Sequence, residues 1–357
     1  MNKRRIWLAS ARVLAPRTFV AAPRNMPLPF EIERLPPGRM ASFGSLHPDK
    51  IFYVIWRRSH GSGLFSNASV VLCHLMLADA GGMEPVVDFL NFPTVYNEDV
   101  EVAGTRNARE YYFGQTTPAP LDEVYESRHV FVCDGTYPSG FSLNVSEIAG
   151  AQETFDRDVT VRPEIEDEVR RWALGFGEKT LGVHFRGQEM NRAASHPFGP
   201  TERQILDVTG RLLRDRGFDR VFLVTEDQGH LDLFRREFGN LVMATDSFRT
   251  RRANAYRMNP RPLHRYLLGR EVLRDAMLLG RCQGLVSCGS NVTEFARLFN
   301  AGRYEADWHI DNGFNSSNPY VALYLHGLRK RLPRGVGGLT GRIVTRGGGA
   351  APGGLDS

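Results

Sequence analysis

The chain has 357 residues, too many for one ordinary core and enough for two domains of common size. Hydrophobic residues make up 42% and charged residues 24%, a globular composition that excludes wholesale disorder. Against 40 Asp and Glu stand 45 Lys and Arg, and much of the resulting +5 sits in Lys3-Arg4-Arg5 and Arg329-Lys330-Arg331. No basic stripe interleaves with aromatics, so an anionic small ligand is expected and nucleic acid is not.

Residues 1–45 read as a poorly ordered basic extension. Arg12 and Arg17 interrupt its apolar run, which argues against a secretory leader. KIFYVIW (50–56) is β-branched and aromatic and reads as a buried strand. The turn Gly61-Ser62-Gly63 leads to NASVVLCHLMLADAG (67–81), a helix by its apolar spacing and terminal glycine. EPVVDFL (84–90) and HVFVCDG (129–135) complete a βαβ-type unit over 46–162, with an irregular stretch at 91–128.

PEIEDEVRRWALGFG (163–177) opens a second unit over 163–332, with Pro163 at a helix start. Its strands read as TLGVHF (180–185), RVFLVT (220–225), LVMAT (241–245) and GLVSC (284–288). Its helices include 201–217, 228–239 and 269–282. Strands alternating with helices imply a parallel, doubly wound sheet. Residues 333–357 are Gly-rich and read as a flexible tail. Cys73, Cys133, Cys282 and Cys288 form no C-x-x-C pair and lack a nearby histidine at zinc spacing, so no metal site is expected. A reducing cytoplasm is the default location, with peripheral membrane contact left open. No apolar run is long enough to span a bilayer. Oligomeric state is not legible.

Ligands of open parallel sheets bind beyond the carboxyl ends of the strands. Three strands of the second unit end in polar clusters: His184-Phe185-Arg186-Gly187-Gln188-Glu189, then Thr225-Glu226-Asp227, then Cys288-Gly289-Ser290-Asn291. Their convergence describes a site for a polar, anionic ligand. Each cluster also has a plain structural reading. Arg186 could sit in a surface ion pair, His184 could be a satisfied core histidine, and Ser290 and Asn291 could only cap a helix. Asp275 lies inside a helix, where an ordinary solvated carboxylate is the plain reading. The ligand reading adds that Gly289 before a helix start lets backbone N–H groups approach a phosphate.

In order, GVHFR (182–186), VFLVTED (221–227) and GREVLRDAMLLGRCQGLVSCGSNV (269–292) resemble the three motifs of the GDP-fucose-dependent α1,6-fucosyltransferases. The protein O-fucosyltransferases share a weaker version. GLFSNASVVLCHLMLADAG (63–81) with PVVDF (85–89) is similar to the amino-terminal unit of the bacterial members. The resemblance spans residues 50–328. It implies a two-domain GT-B fold, two Rossmann-like α/β units with a cleft between them. It also implies inverting, metal-independent transfer from a GDP-fucose donor to a glycan or protein hydroxyl, with no cofactor.

Carried over by position, Arg186 matches the arginine on the donor pyrophosphate, where a guanidinium gives a bidentate, permanently charged contact. His184 and Asp275 match residues near the guanine. Asp227, with Thr225 beside it, matches an acid of the second motif, and Gly289, Ser290 and Asn291 match the phosphate-binding turn. Two departures stand out: the second arginine of the relatives is Gly187 here, and their aspartate is Glu189. Their proposed base has no clear counterpart. Arg192 falls near that place and cannot act as a base, so Glu189 is the candidate. The alternatives are a GT-B enzyme using another nucleotide sugar, or an inactive relative that binds nucleotide or glycan. No G-x-S-x-G elbow or P-loop supports a hydrolase or kinase.

Overall fold

The computed structural model describes residues 39–187, 191–251 and 255–346. The first unit carries four strands, β1 (Arg39–Ala41), β2 (Phe52–Ile55), β3 (Glu84–Val87) and β4 (Val130–Val132), in the order β1-β4-β2-β3. The pairs β4–β2 and β2–β3 are parallel, and β1 runs antiparallel on β4. Helix α1 (Leu64–Ala80) joins β2 to β3; the short α2 (Leu121–Val124) precedes β4 and α3 (Ala151–Asp158) follows it.

The second unit begins with α4 (Pro163–Ala173) and continues β5 (Thr180–His184), α5 (Glu202–Arg216), β6 (Arg220–Val224), α6 (Gln228–Phe238), β7 (Val242–Met243), α7 (His264–Arg281), β8 (Gly284–Ser287), α8 (Asn291–Asn300), β9 (Ala306–Asp311), α9 (Pro319–Arg329) and β10 (Arg342–Arg346). Its six strands lie in the order β10-β9-β8-β5-β6-β7. All neighbours are parallel except β10 on β9. The chain winds from β5 outward through β6 to β7, then crosses back to β8 and winds the other way. The order reverses between β5 and β8, and that point is where doubly wound sheets bind ligands. The expected pair of Rossmann-like α/β units is therefore present.

Side-chain alternation sets the layers. Leu181, Val183 and Phe185 meet Ile205, Leu212 and Phe234 beneath α5 and α6. On the opposite face, Phe222, Val224 and Leu285 join Leu273, Ala276 and Leu279 of α7 in a core that continues into α1 of the first unit. Phe65 of α1 lies 4.7 Å from Phe295 of α8, ring centre to ring centre. That placement explains why α1 is buried on nearly every side. Polar contacts reinforce the junction. Tyr112 donates to the Tyr266 carbonyl at 3.0 Å, and Ser146 donates to Glu294 at 2.5 Å.

Both expected terminal boundaries need correction. Residues 39–45, expected within the extension, and Leu46 cover the open edge of β4: besides β1, Phe43 N–H donates to Ser127 O and Leu46 N–H to Glu126 O. Residues 342–346, expected in a flexible tail, form β10. Ile343 packs into the core beneath the sheet, and Arg346 pairs with Glu294 and Glu147, both at 3.0 Å. Flanking glycines hid a five-residue run with a β-branched centre, Ile343-Val344-Thr345. The four cysteines are free and buried, as small hydrophobes are. No described helix is long and apolar enough to cross a membrane.

Candidate functional site

Where β5 and β8 part, their following turns face each other. The fully buried TLGVH strand delivers Phe185-Arg186-Gly187 to the rim. The buried GLVS strand delivers Cys288-Gly289-Ser290 and then α8. The Arg186 guanidinium bridges the gap, donating from Nη1 to the Gly289 carbonyl at 3.3 Å. Burial pushes its pKa down, while the Glu226 carboxylate pushes the other way. Gly289 is required by a close approach: a Cβ there would stand 2.6 Å from Cγ of Pro197, a ring atom that cannot swing aside. Ser290 caps α8, its Oγ accepting from Val292 N–H at 3.2 Å. This is the plain reading of Ser290, and it also fixes the helix start beside Arg186. Asn291 is the first residue of α8 and half-buried.

His184 is 3% exposed, and its Nδ1 has no hydrogen-bond partner among the described residues. Burial, then the Arg186 charge, pushes its pKa down to about 3, so the imidazole is neutral at ordinary pH. His196 is half-buried and shifted down by the same two causes. One permanent cation beside neutral imidazoles suits an anion. Gly187 donates its N–H to Glu226 Oε1 at 3.2 Å. A Cβ at position 187 would meet that oxygen at 2.5 Å. Gly187 thus leaves room for the Glu226 carboxylate, which its backbone N–H holds. A hollow beside Arg186 is lined among others by Phe185, Thr201, His230, His326 and Lys330. His230 stacks flat on Phe185 at 3.7 Å.

The second cluster divides. Asp227 caps α6, accepting from Gly229 N–H at 2.7 Å. Thr225 is buried; its Oγ1 accepts from Asp227 N–H and its carbonyl accepts from Arg249 Nε at 3.2 Å. Both residues shape the rim, and Glu226 between them is the one whose charge reaches Arg186. Asp275 is not a solvated carboxylate. It is buried beneath the loop after β7, accepting from Thr245 and Ser247 hydroxyls at 2.8 Å each. Burial raises its pKa against the opposing pull of Arg274. It therefore supports the 245–249 loop from below, and no contact joins it to Arg186 among the described residues. Glu189 lies outside the described residues. Arg192 is exposed.

Sequence reasoning set Glu226 in a strand-end cluster without giving it a role, and it missed Arg249 and the tyrosines. Tyr256 reaches across to Tyr96 of the first unit, hydroxyl to hydroxyl at 2.9 Å, and its electrostatic influence extends to Arg186. The clustering of tyrosines at 96, 111, 112, 256 and 266 was the available signal.

A doubly wound sheet with an arginine and a helix start at its switch point, beside a second α/β unit, defines the class by fold: a protein of two Rossmann-like α/β units. No family model matches the chain, and no curated protein matches it. Solved structures similar to it include NodZ α-1,6-fucosyltransferase soaked with GDP-fucose, at 17% identity over 73% of this chain and 95% of that one, TM-score 0.48. The NodZ fucosyltransferase from Bradyrhizobium matches at 16% identity with the same coverage and TM-score. POFUT1 in complex with GDP-fucose is similar at 14% identity over 72% of each chain, TM-score 0.35.

Proposed function

We propose that the chain is a glycosyltransferase that moves fucose from GDP-fucose to a hydroxyl of a glycan or protein, with inversion and without a metal ion. The observation that carries the reading is the Arg186–Gly289 bridge at the switch point, with the start of α8 beside it. In the proposed reaction the acceptor oxygen attacks the anomeric carbon as the bond to the β-phosphate oxygen breaks. GDP departs with the bonding pair, and the acceptor proton passes to a base. Arg186 and the α8 start would stabilise charge growing on the β-phosphate, more in the transition state than in the ground state. Glu189 is the proposed base. The choice of guanine and fucose and the metal independence rest on the three ordered motifs, and a cytoplasmic location rests on the cysteine usage.

One observation favours a second reading. Glu226 accepts from Gly187 N–H and sets a negative charge beside Arg186, where the proposed pyrophosphate would bind. A relative that binds nucleotide or glycan without turnover would tolerate this. Incubation with GDP-fucose, UDP- and ADP-sugars and a panel of acceptors, with released nucleotide measured, separates the two. Acceptor-dependent GDP release supports the enzyme. GDP binding with no release under any acceptor supports the second reading.

A further inference from the structure

Helix α9 starts at Pro319, with Asn318 accepting from Tyr320 N–H at 2.9 Å. It turns only a narrow face inward: Ala322 is fully buried, and His326 lines the hollow beside Arg186. The opposite face is apolar and open. Tyr320, Leu323, Tyr324 and Leu328 recur at helical spacing with 61%, 48%, 76% and 56% of their surface exposed. Exposed Phe314 and Val336 flank the helix in sequence. A contiguous exposed apolar face of this kind marks an interaction surface, whereas scattered exposed leucines do not.

Charge identifies what covers it. Residues 312–346 contain no Asp or Glu, and they carry Arg329, Lys330, Arg331, Arg334, Arg342 and Arg346. The run Arg331 to Arg334 follows the helix directly and is exposed. A second copy using the same face would set the exposed Arg331 and Arg334 of the two copies against each other. Residues 1–38 carry seven Lys and Arg against Glu31 and Glu33, so they are repelled too. Tyrosines and leucines on a short amphipathic helix, continued by a basic run, match the chemistry of a bilayer interface with anionic headgroups. We propose that the Tyr320–Leu328 face of α9 docks on an anionic lipid bilayer. The rings and leucines enter the headgroup boundary, and Arg331 and Arg334 pair with lipid phosphates. The inference is independent of the glycosyltransferase reading.

The test is flotation of the full chain with phosphatidylcholine vesicles and with vesicles containing a quarter phosphatidylglycerol. Two variants accompany it, Leu323→Glu with Tyr324→Glu, and Arg331→Glu with Arg334→Glu. The wild type floats with the anionic vesicles, less with neutral ones and less in high salt. Each variant loses binding on the order of tenfold or more. Unchanged melting temperatures confirm that the variants are folded, as expected for exposed positions. Flotation of both variants like wild type overturns the proposal and assigns membrane binding to another surface. A wild type that ignores vesicles, whether monomeric or forming a dimer by light scattering that Leu323→Glu with Tyr324→Glu dissolves, overturns it as well.

Discussion

Replacing Arg186 by alanine separates the ligand reading from a structural one. In the folded chain the guanidinium makes a hydrogen bond of 3.3 Å to the Gly289 carbonyl. A bond of that kind contributes about 1 kcal/mol to stability, and removal of a partly buried cation returns some of that. The melting temperature of Arg186→Ala should therefore fall by no more than a few degrees. Donor chemistry should respond much more strongly. Loss of a charge-assisted contact to a departing phosphate costs on the order of 3 kcal/mol, about a hundredfold in rate. Arg186→Lys should remain severely impaired, because an ammonium keeps the charge and loses the planar fork. The assay is calorimetric GDP affinity together with acceptor-dependent GDP release, measured beside melting curves for all three proteins. Near-wild-type GDP affinity and turnover in Arg186→Ala would refute the reasoning.

Three further outcomes follow from the geometry. His184 titrates at about 3 when folded against an unfolded value near 6.5, so the unfolded chain binds the extra proton. Its burial therefore lowers stability as pH falls from 6.5 toward 3, by about 2 kcal/mol at pH 5, and His184→Gln should flatten that part of a denaturation-versus-pH profile. Gly187→Ala should destabilise the rim by roughly 1–2 kcal/mol by displacing Glu226, and Glu226→Ala should suppress much of that cost in the double variant; additive melting shifts would contradict the pairing. Ending the chain at residue 340 removes β10, exposes the β9 edge and deletes the Arg346 pairs. Its melting temperature should drop by several degrees, whereas a flexible tail would leave it unchanged.

The parts of the site legible in the sequence were those written locally. Arg186 directly follows a buried β-branched strand, and Gly289-Ser290 stands between a strand and a helix start, so strand-end logic places both. What the sequence hid depends on distant partners. Asp275 reads as an ordinary helix carboxylate because Thr245 and Ser247, which cover it, lie about thirty residues away. Thr225, Glu226 and Asp227 look equivalent in sequence; capping and burial consume the outer two and leave Glu226 facing Arg186. β1 and β10 were missed for a different reason. Each is an edge strand of three or five residues whose partner supplies most of the pattern, and flanking Pro or Gly reads as disorder.

The central claim, a guanine-nucleotide sugar donor held at the β5–β8 switch point, is tested most directly by thermal shift of the wild-type chain. GDP, UDP and ADP are compared at equal concentration in the presence of a chelator, since a ligand that binds only the folded state raises its melting temperature. The account predicts the largest shift with GDP and no gain from added magnesium. Equal shifts with all three nucleotides, no shift with any, or a shift that requires a divalent ion would contradict it.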